Sequence, residues 1–396
     1  MGYLNKEVSG FLEKSSWIRK MFEAGLELKK KFGEDNVYDF SLGNPDLPPP
    51  KKVKEALINI SNHADKPYAF GYMPNAGAPE TRQRLAEYLS KEQGTEIPPS
   101  DVMLTCGAAG GLNCLFRCIL EPDEEVICLS PYFVEYVFYL SNHKAKAKIV
   151  ETNENFEIDL NNIEQAISEN VRAVLINSPN NPTGQIYTRE QLVGLGDLLT
   201  KFSERFNRPI YLISDEPYRF LTYDGCKCAS VFECYRNSIV VSSFSKSLSL
   251  AGERIGYVAL NPELEGKEEL MNGLIFVNRI LGYVNAPTIG QKILDYALGE
   301  NVDISIYDKR RNIMANILEQ AGYEFLMPKG GFYFFPKSPI PDEVEFVKIL
   351  QKERILAVPG SGFGRKGYFR LSFCVSEKTI ENSAKGFKQA IDRAMA

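Results

Sequence analysis

Between about residues 100 and 262, short runs of apolar and β-branched residues alternate with longer stretches of helical character. This alternation predicts strands joined by crossover helices, and hence a largely parallel sheet covered by helices, an α/β fold. The expected strands are Val102 to Thr105, Glu125 to Leu129, Val171 to Asn177, Ile210 to Ser214, Ser238 to Ser242 and Gly256 to Leu260. Several are nearly unbroken apolar runs, as strands buried on both faces should be. After Pro287 a long amphipathic stretch runs through Gln320. It is followed by Tyr323-Glu324-Phe325-Leu326, by the aromatic run Phe332 to Phe335, and by Phe369 to Phe373. That α+β pattern predicts a second, smaller domain. Pro45 to Pro50 break any helix near the N-terminus, so this segment is expected to cross between the two units. The expected organisation is a crossing segment over 1–46, a large domain over 47–286 and a small α+β domain over 287–396.

Length and charge narrow the function classes. A chain of 396 residues holds two or three domains and can bury a large core. With 46 basic and 51 acidic residues the net charge is −5, which argues against a nucleic-acid partner. His63 and His143 lie far apart, without the close pairing of helical zinc motifs, so no metal site is expected. The eight cysteines form no CxxC and mostly sit in apolar runs, which reads as reduced core residues. No apolar run approaches the roughly 18 residues that cross a bilayer, and Lys6, Glu7, Glu13 and Lys14 interrupt the N-terminal apolar residues. No membrane association is expected, and the cytoplasm is the expected location.

In open α/β sheets ligands bind beyond the carboxyl ends of the strands. Those positions are rich in chemistry. Gly107-Ala108-Ala109 follows the first expected strand, where small residues let backbone N–H groups approach an anion at a helix start. Pro131-Tyr132 follows the second, and a tyrosine there can stack on a flat ring. Asn181 lies in Ser178 to Gly184, where prolines and a glycine hold its amide in one orientation. Asp215 closes the next strand with Tyr218 three residues on. Ser243, Ser245 and Lys246 close the one after, followed by Arg254. Singly, each has a plainer reading: a tight turn, a helix cap, a solvated charge. Together they supply an amine able to form an imine, a carboxylate, an amide, phenols, and hydroxyl and guanidinium groups for a phosphate. That is the inventory for an aldehyde-bearing phosphorylated pyridine, pyridoxal 5'-phosphate.

In this order, and with Gly43-Asn44-Pro45, Tyr72 with Gly77, and Arg370, the motifs span essentially the whole chain. The sequence resembles the class I/II pyridoxal-phosphate-dependent aminotransferases of fold type I, the aspartate-aminotransferase-like group. The resemblance implies that Lys246 carries the cofactor as an imine and then moves a proton between the substrate Cα and the cofactor C4′. It implies that Asp215 keeps the pyridine nitrogen protonated, that Asn181 and Tyr218 attend the ring 3-oxygen, and that Tyr132 stacks on the ring. It further implies a phosphate cup of Ser243, Ser245, Arg254 and the backbone of Gly107, Ala108 and Ala109. Arg370 would clamp the substrate α-carboxylate, helped by the Gly43 backbone and Asn181. Tyr72 would reach the phosphate of a neighbouring subunit, implying a homodimer with shared active sites. Arg279, one residue off the family spacing before Asn285-Ala286-Pro287, is a candidate for a distal carboxylate of aspartate- or glutamate-type donors; a salt-bridged helix arginine is the alternative. The substrates would be α-amino acids and 2-oxo acids. Two rivals share these motifs: a carbon–sulfur β-lyase using the same lysine and cup, and an effector-sensing regulatory protein, for which the residues before Gly43 leave no room for a DNA-binding domain.

Overall fold

The computed structural model describes residues 3–14 and 17–395. After two helices, Lys6–Lys14 and Trp17–Phe32, the chain forms a short strand, β1 (Tyr38–Asp39), whose partner lies near the other end of the chain. The central sheet follows: β2 (Val102–Cys106), β3 (Glu125–Ser130), β4 (Lys146–Glu151), β5 (Val171–Asn177), β6 (Tyr211–Asp215), β7 (Ser238–Ser243) and β8 (Ile255–Leu260). Their spatial order is β2-β8-β7-β6-β5-β3-β4. β4, β3, β5, β6 and β7 pair in parallel, whereas β8 runs antiparallel to both β7 and β2. The mostly parallel α/β sheet read from the sequence is present. Each expected strand matches an observed one to within a residue at either end.

Side chains alternate across a strand, so each face of this sheet needs its own core. Val174 and Ile176 of β5, Leu212 of β6 and Val240 of β7 enter one apolar cluster. Their neighbours Ala173, Leu175, Ile213, Ile239 and Val241 enter a second cluster on the opposite face. Burial on both sides is why these strands read as continuous apolar runs. The strand that was not foreseen, β4, is at the sheet edge, and its sequence Lys-Ala-Lys-Ile-Val-Glu buries only Val150.

The remaining strands are short: β9 (Tyr333–Phe334), β10 (Ile355–Leu356), β11 (Val358–Pro359) and β12 (Phe369–Ser372). β12 lies between β11 and β9, and β10 pairs in parallel with β1. Helices Ile304–Ala321, Glu343–Lys352 and Ala384–Ala394 cover them around a third core. That core also takes Tyr38, Phe40 and Leu47 from the N-terminal segment and Tyr218, Leu221 and Tyr223 from the stretch after β6.

The amphipathic stretch expected through Gln320 is two helices, Thr288–Ala297 and Ile304–Ala321. Gly299, at φ 88, separates them, and the Asp303 side chain caps the second. Ile293, Leu294 and Ala297 of the first helix belong to a core of the central sheet, whereas Val302 belongs to the smaller one. The change of core falls after Leu298. All eight cysteines are unpaired; only Cys114, Cys128 and Cys374 are buried, and the other five are half-buried, so the core reading holds for three. Among the described residues no helix is long and apolar enough to cross a membrane.

Candidate active site

A cavity of 320 Å³ opens beyond the carboxyl ends of β5, β6 and β7, against the start of the helix Gly107–Ile119 that follows β2. It is walled by the N-terminal segment at Ser41 to Gly43 and by Tyr333 and Arg370 of the smaller unit. Residues from three distant stretches of chain thus face one space.

The helix Gly107–Ile119 begins with no side-chain cap. Its first N–H groups have no side-chain partner among the described residues, an arrangement suited to an anion. Ala108, Ala109, Ser243, Ser245 and Arg254 line the cavity around this end. Gly107 does not line it but makes the approach possible. It has φ 68, and a Cβ there would meet Arg254 Nη2 at 2.9 Å.

Asp215 ends β6 deep in the cavity. One carboxylate oxygen, Oδ2, accepts from the Tyr136 hydroxyl at 2.6 Å; the other, Oδ1, is buried without a partner. Burial pushes the carboxyl up to about 7, opposed by the Tyr136 hydrogen bond and reinforced by the neighbouring Glu216. At the end of β5, Asn177 donates to the Asp215 carbonyl at 2.8 Å and accepts from the Asn181 N–H at 2.7 Å. The loop is thereby tied to the strand bearing the carboxylate.

Lys246 follows β7, and its Nζ donates to the Gly43 carbonyl at 2.7 Å. Burial lowers the amine to about 8; the nearby Cys374 raises it, and Arg370 and Arg254 lower it. Gly43 is a close approach of backbone to side chain, since any Cβ there would collide with the Tyr333 hydroxyl. That hydroxyl lies 2.9 Å from the Tyr218 hydroxyl. Arg370, on β12, is buried; Nη1 donates to Asn181 Oδ1 at 3.0 Å and Nη2 to the Ser41 carbonyl at 2.5 Å. Its Nε has no partner, and its guanidinium lies 4.7 Å from the ring centres of Tyr333 and of Phe363.

Of the residues expected from the sequence, Gly43, Ala108, Ala109, Asn181, Asp215, Tyr218, Ser243, Ser245, Lys246, Arg254 and Arg370 line this one cavity. Gly107, Tyr132, Tyr72 and Arg279 do not. Tyr132 is turned away: its N–H donates to the Phe363 carbonyl at 3.0 Å, its ring packs against Gly364, and the next residue, Phe133, lines the cavity instead. Phe133 thus stands on the cavity wall where Tyr132 was expected. Tyr72 is 91% exposed and Arg279 is exposed over the ring of Phe276. Neither lines the cavity of its own chain. Sequence reading missed Tyr136, Asn177 and Tyr333. Asn177 could have been found, as a polar residue at the end of an apolar run.

A group that satisfies all of these features needs a carbonyl for Lys246, a protonated ring nitrogen for the free Asp215 oxygen and a phosphate for the uncapped helix. Those are the parts of pyridoxal phosphate, and the fold and site define a pyridoxal-phosphate enzyme. Residues 35–387 match the family described as aminotransferase class I and II. Among curated proteins, the probable aspartate/prephenate aminotransferase of Aquifex aeolicus is 31% identical, covering 92% of this chain and 93% of that one. The aspartate/prephenate aminotransferase of Thermus thermophilus is 32% identical, covering 93% and 94%. Among solved structures, an amino transferase from Eubacterium rectale has a TM-score of 0.94 at 37% identity over 99% of each chain. The chain belongs to the class I and II aminotransferase family. It is a pyridoxal-phosphate-dependent aminotransferase.

Proposed function

We propose that the enzyme moves an amino group between an α-amino acid and a 2-oxo acid at Lys246, with Arg370 as the anchor for the α-carboxylate of every substrate and aspartate-type dicarboxylic acids as donors. The observation that carries this reading is the Arg370 guanidinium. It is buried, opens into the cavity that holds Lys246 and Asp215, and has no carboxylate partner among the described residues. A buried cation without a counter-ion is costly, and a substrate carboxylate offers one.

The cofactor, when bound, supplies an electron-accepting ring for the charge left when Cα loses its proton. The chain supplies the rest. Asp215 Oδ1 holds a proton on the ring nitrogen, for which it must be ionised. Lys246, with an amine brought down to about 8 by burial, would carry the proton between Cα and C4′. Asn181 and Tyr218 would hold the ring 3-oxygen, and Phe133 would cover a ring face. The uncapped helix at Ala108 and Ala109, with Ser243, Ser245 and Arg254, holds the phosphate. The aspartate preference draws on the names of the relatives. The cations lining the cavity are Lys246, Arg254 and Arg370. A distal carboxylate would thus need a cation from outside this chain's own wall. Exposed Tyr72 and Arg279 support a homodimer in which such residues cross to a neighbouring site.

A panel of amino donors tests the assignment. Aspartate and glutamate should convert the bound cofactor to its amine form, read by absorbance, faster than alanine or phenylalanine. Equal or faster conversion by the monocarboxylic donors would overturn the dicarboxylic preference.

A further inference from the structure

Tyr136 stands in none of the roles above, yet it is 2% exposed and lies among the largest fully buried side chains. It sits on the short helix Glu135–Ser141, one turn after Phe133, whose ring meets its own edge to face at 5.5 Å. Apart from the cavity, its surroundings are the apolar core on one face of the sheet. Its hydroxyl makes one hydrogen bond, to Asp215 Oδ2. The two oxygens of Asp215 therefore have different circumstances: Oδ2 is occupied by a neutral donor and Oδ1 is buried and free.

The sign of the donor matters. A cation on Oδ2 would neutralise the carboxylate and weaken its hold on a ring proton. A neutral phenol favours the ionised form and leaves its charge undivided at Oδ1. The other groups facing Asp215 do not take this part. Glu216 is adjacent in sequence, but its carboxylate is turned to Gln93, Ser214 and Arg219. Tyr139, from the same helix as Tyr136, lies close enough to feel the Asp215 charge without bonding it. Lys246 and Arg254 line the same cavity without bonding the carboxylate.

We propose that Tyr136 is a positioning residue for the cofactor: its hydroxyl fixes the Asp215 carboxylate, ionised and with Oδ1 turned to the cavity, so that the pyridine nitrogen keeps its proton. The proposal rests on the reading of Asp215 as the partner of that nitrogen. It assigns Tyr136 no contact with substrate.

The test uses holoenzyme loaded with pyridoxal phosphate carrying ¹⁵N in the ring, whose chemical shift reports protonation of that atom. In the wild type the nitrogen should stay protonated across the neutral range. In Tyr136→Phe the loss of protonation should begin about one pH unit lower, the tenfold change expected on losing a hydrogen bond to a charged group. In apo-protein with ¹³C-labelled aspartate, the Asp215 titration should move up by a similar amount. If Tyr136→Phe fails to fold, by circular dichroism and thermal midpoint, 3,5-difluorotyrosine at position 136 replaces it. A more acidic phenol is a stronger donor, so both titrations should then move the opposite way. Wild-type and variant profiles that coincide, with the wild-type nitrogen protonated, would overturn the role of Tyr136 alone. An unprotonated nitrogen in the wild type would overturn the underlying reading of Asp215 as well.

Discussion

Lys246 Nζ donates to the Gly43 carbonyl oxygen at 2.7 Å, joining the end of β7 to the N-terminal segment. The bond holds the amine at the mouth of the cavity while burial lowers its proton affinity. A buried amine at about 8 is reactive at pH values where surface lysines, near 10.4, are still charged.

Apo-protein treated with a trace of an amine-acylating reagent should therefore modify Lys246 with a midpoint near pH 8, read by peptide mapping. The other lysines should follow only above about pH 10. A Lys246 midpoint among the surface lysines would show that burial does not set its acidity. In the unfolded chain the difference should vanish.

Asp215 links the site to stability. Its folded value, about 7, lies above its ordinary 3.8, so between those pH values the folded apo-protein binds more protons than the unfolded chain. Stability contributed by the neutral carboxyl is thus lost as pH rises from about 4 to about 7. Apo Asp215→Asn lacks this dependence. Urea midpoints should show the wild type losing ground to Asp215→Asn across that window, and pyridoxal phosphate should remove the loss. Parallel curves for the two apo-proteins would contradict it.

Arg370→Ala should weaken every substrate, donor and acceptor alike, by about 1.5–3 kcal/mol or roughly tenfold to a hundredfold, mostly in KM. Arg370→Lys should restore little, because one ammonium cannot bridge Asn181, Ser41 and a carboxylate as a planar fork does. Arg279→Ala should spare alanine and affect only dicarboxylic substrates. Unchanged aspartate and glutamate kinetics would leave Arg279 as a surface residue over Phe276.

The legible parts of this chain are those where one stretch of sequence carries its whole reason. β5 reads as a strand because Val171 to Asn177 is buried on both faces, and the residues just past β5, β6 and β7 read as a site because strand ends face it. β4 escaped because an edge strand with exposed Lys146 and Glu151 lacks the apolar run. Which aromatic after β3 lines the cavity was not legible. Tyr132 and Phe133 are both plausible by composition, and only the packing of Tyr132 against Gly364 separates them. Tyr136 and Tyr333 were invisible for a different reason: a lone tyrosine on a helix or strand carries no local signal. Their hydrogen bonds, to Asp215 and Tyr218, join residues 79 and 115 positions apart.

The arginine that reaches Asn181 and Ser41 lies on β12, near the end of the chain. During synthesis the segment from Gly107 to Arg254 leaves the ribosome well before residue 370 does. Until β8 has also emerged to join β2 to β7, the helix start at Ala108 and the Lys246 amine have no strand to hold them side by side. The order of translation thus makes the arginine of β12 the last of the cavity-lining residues to leave the ribosome.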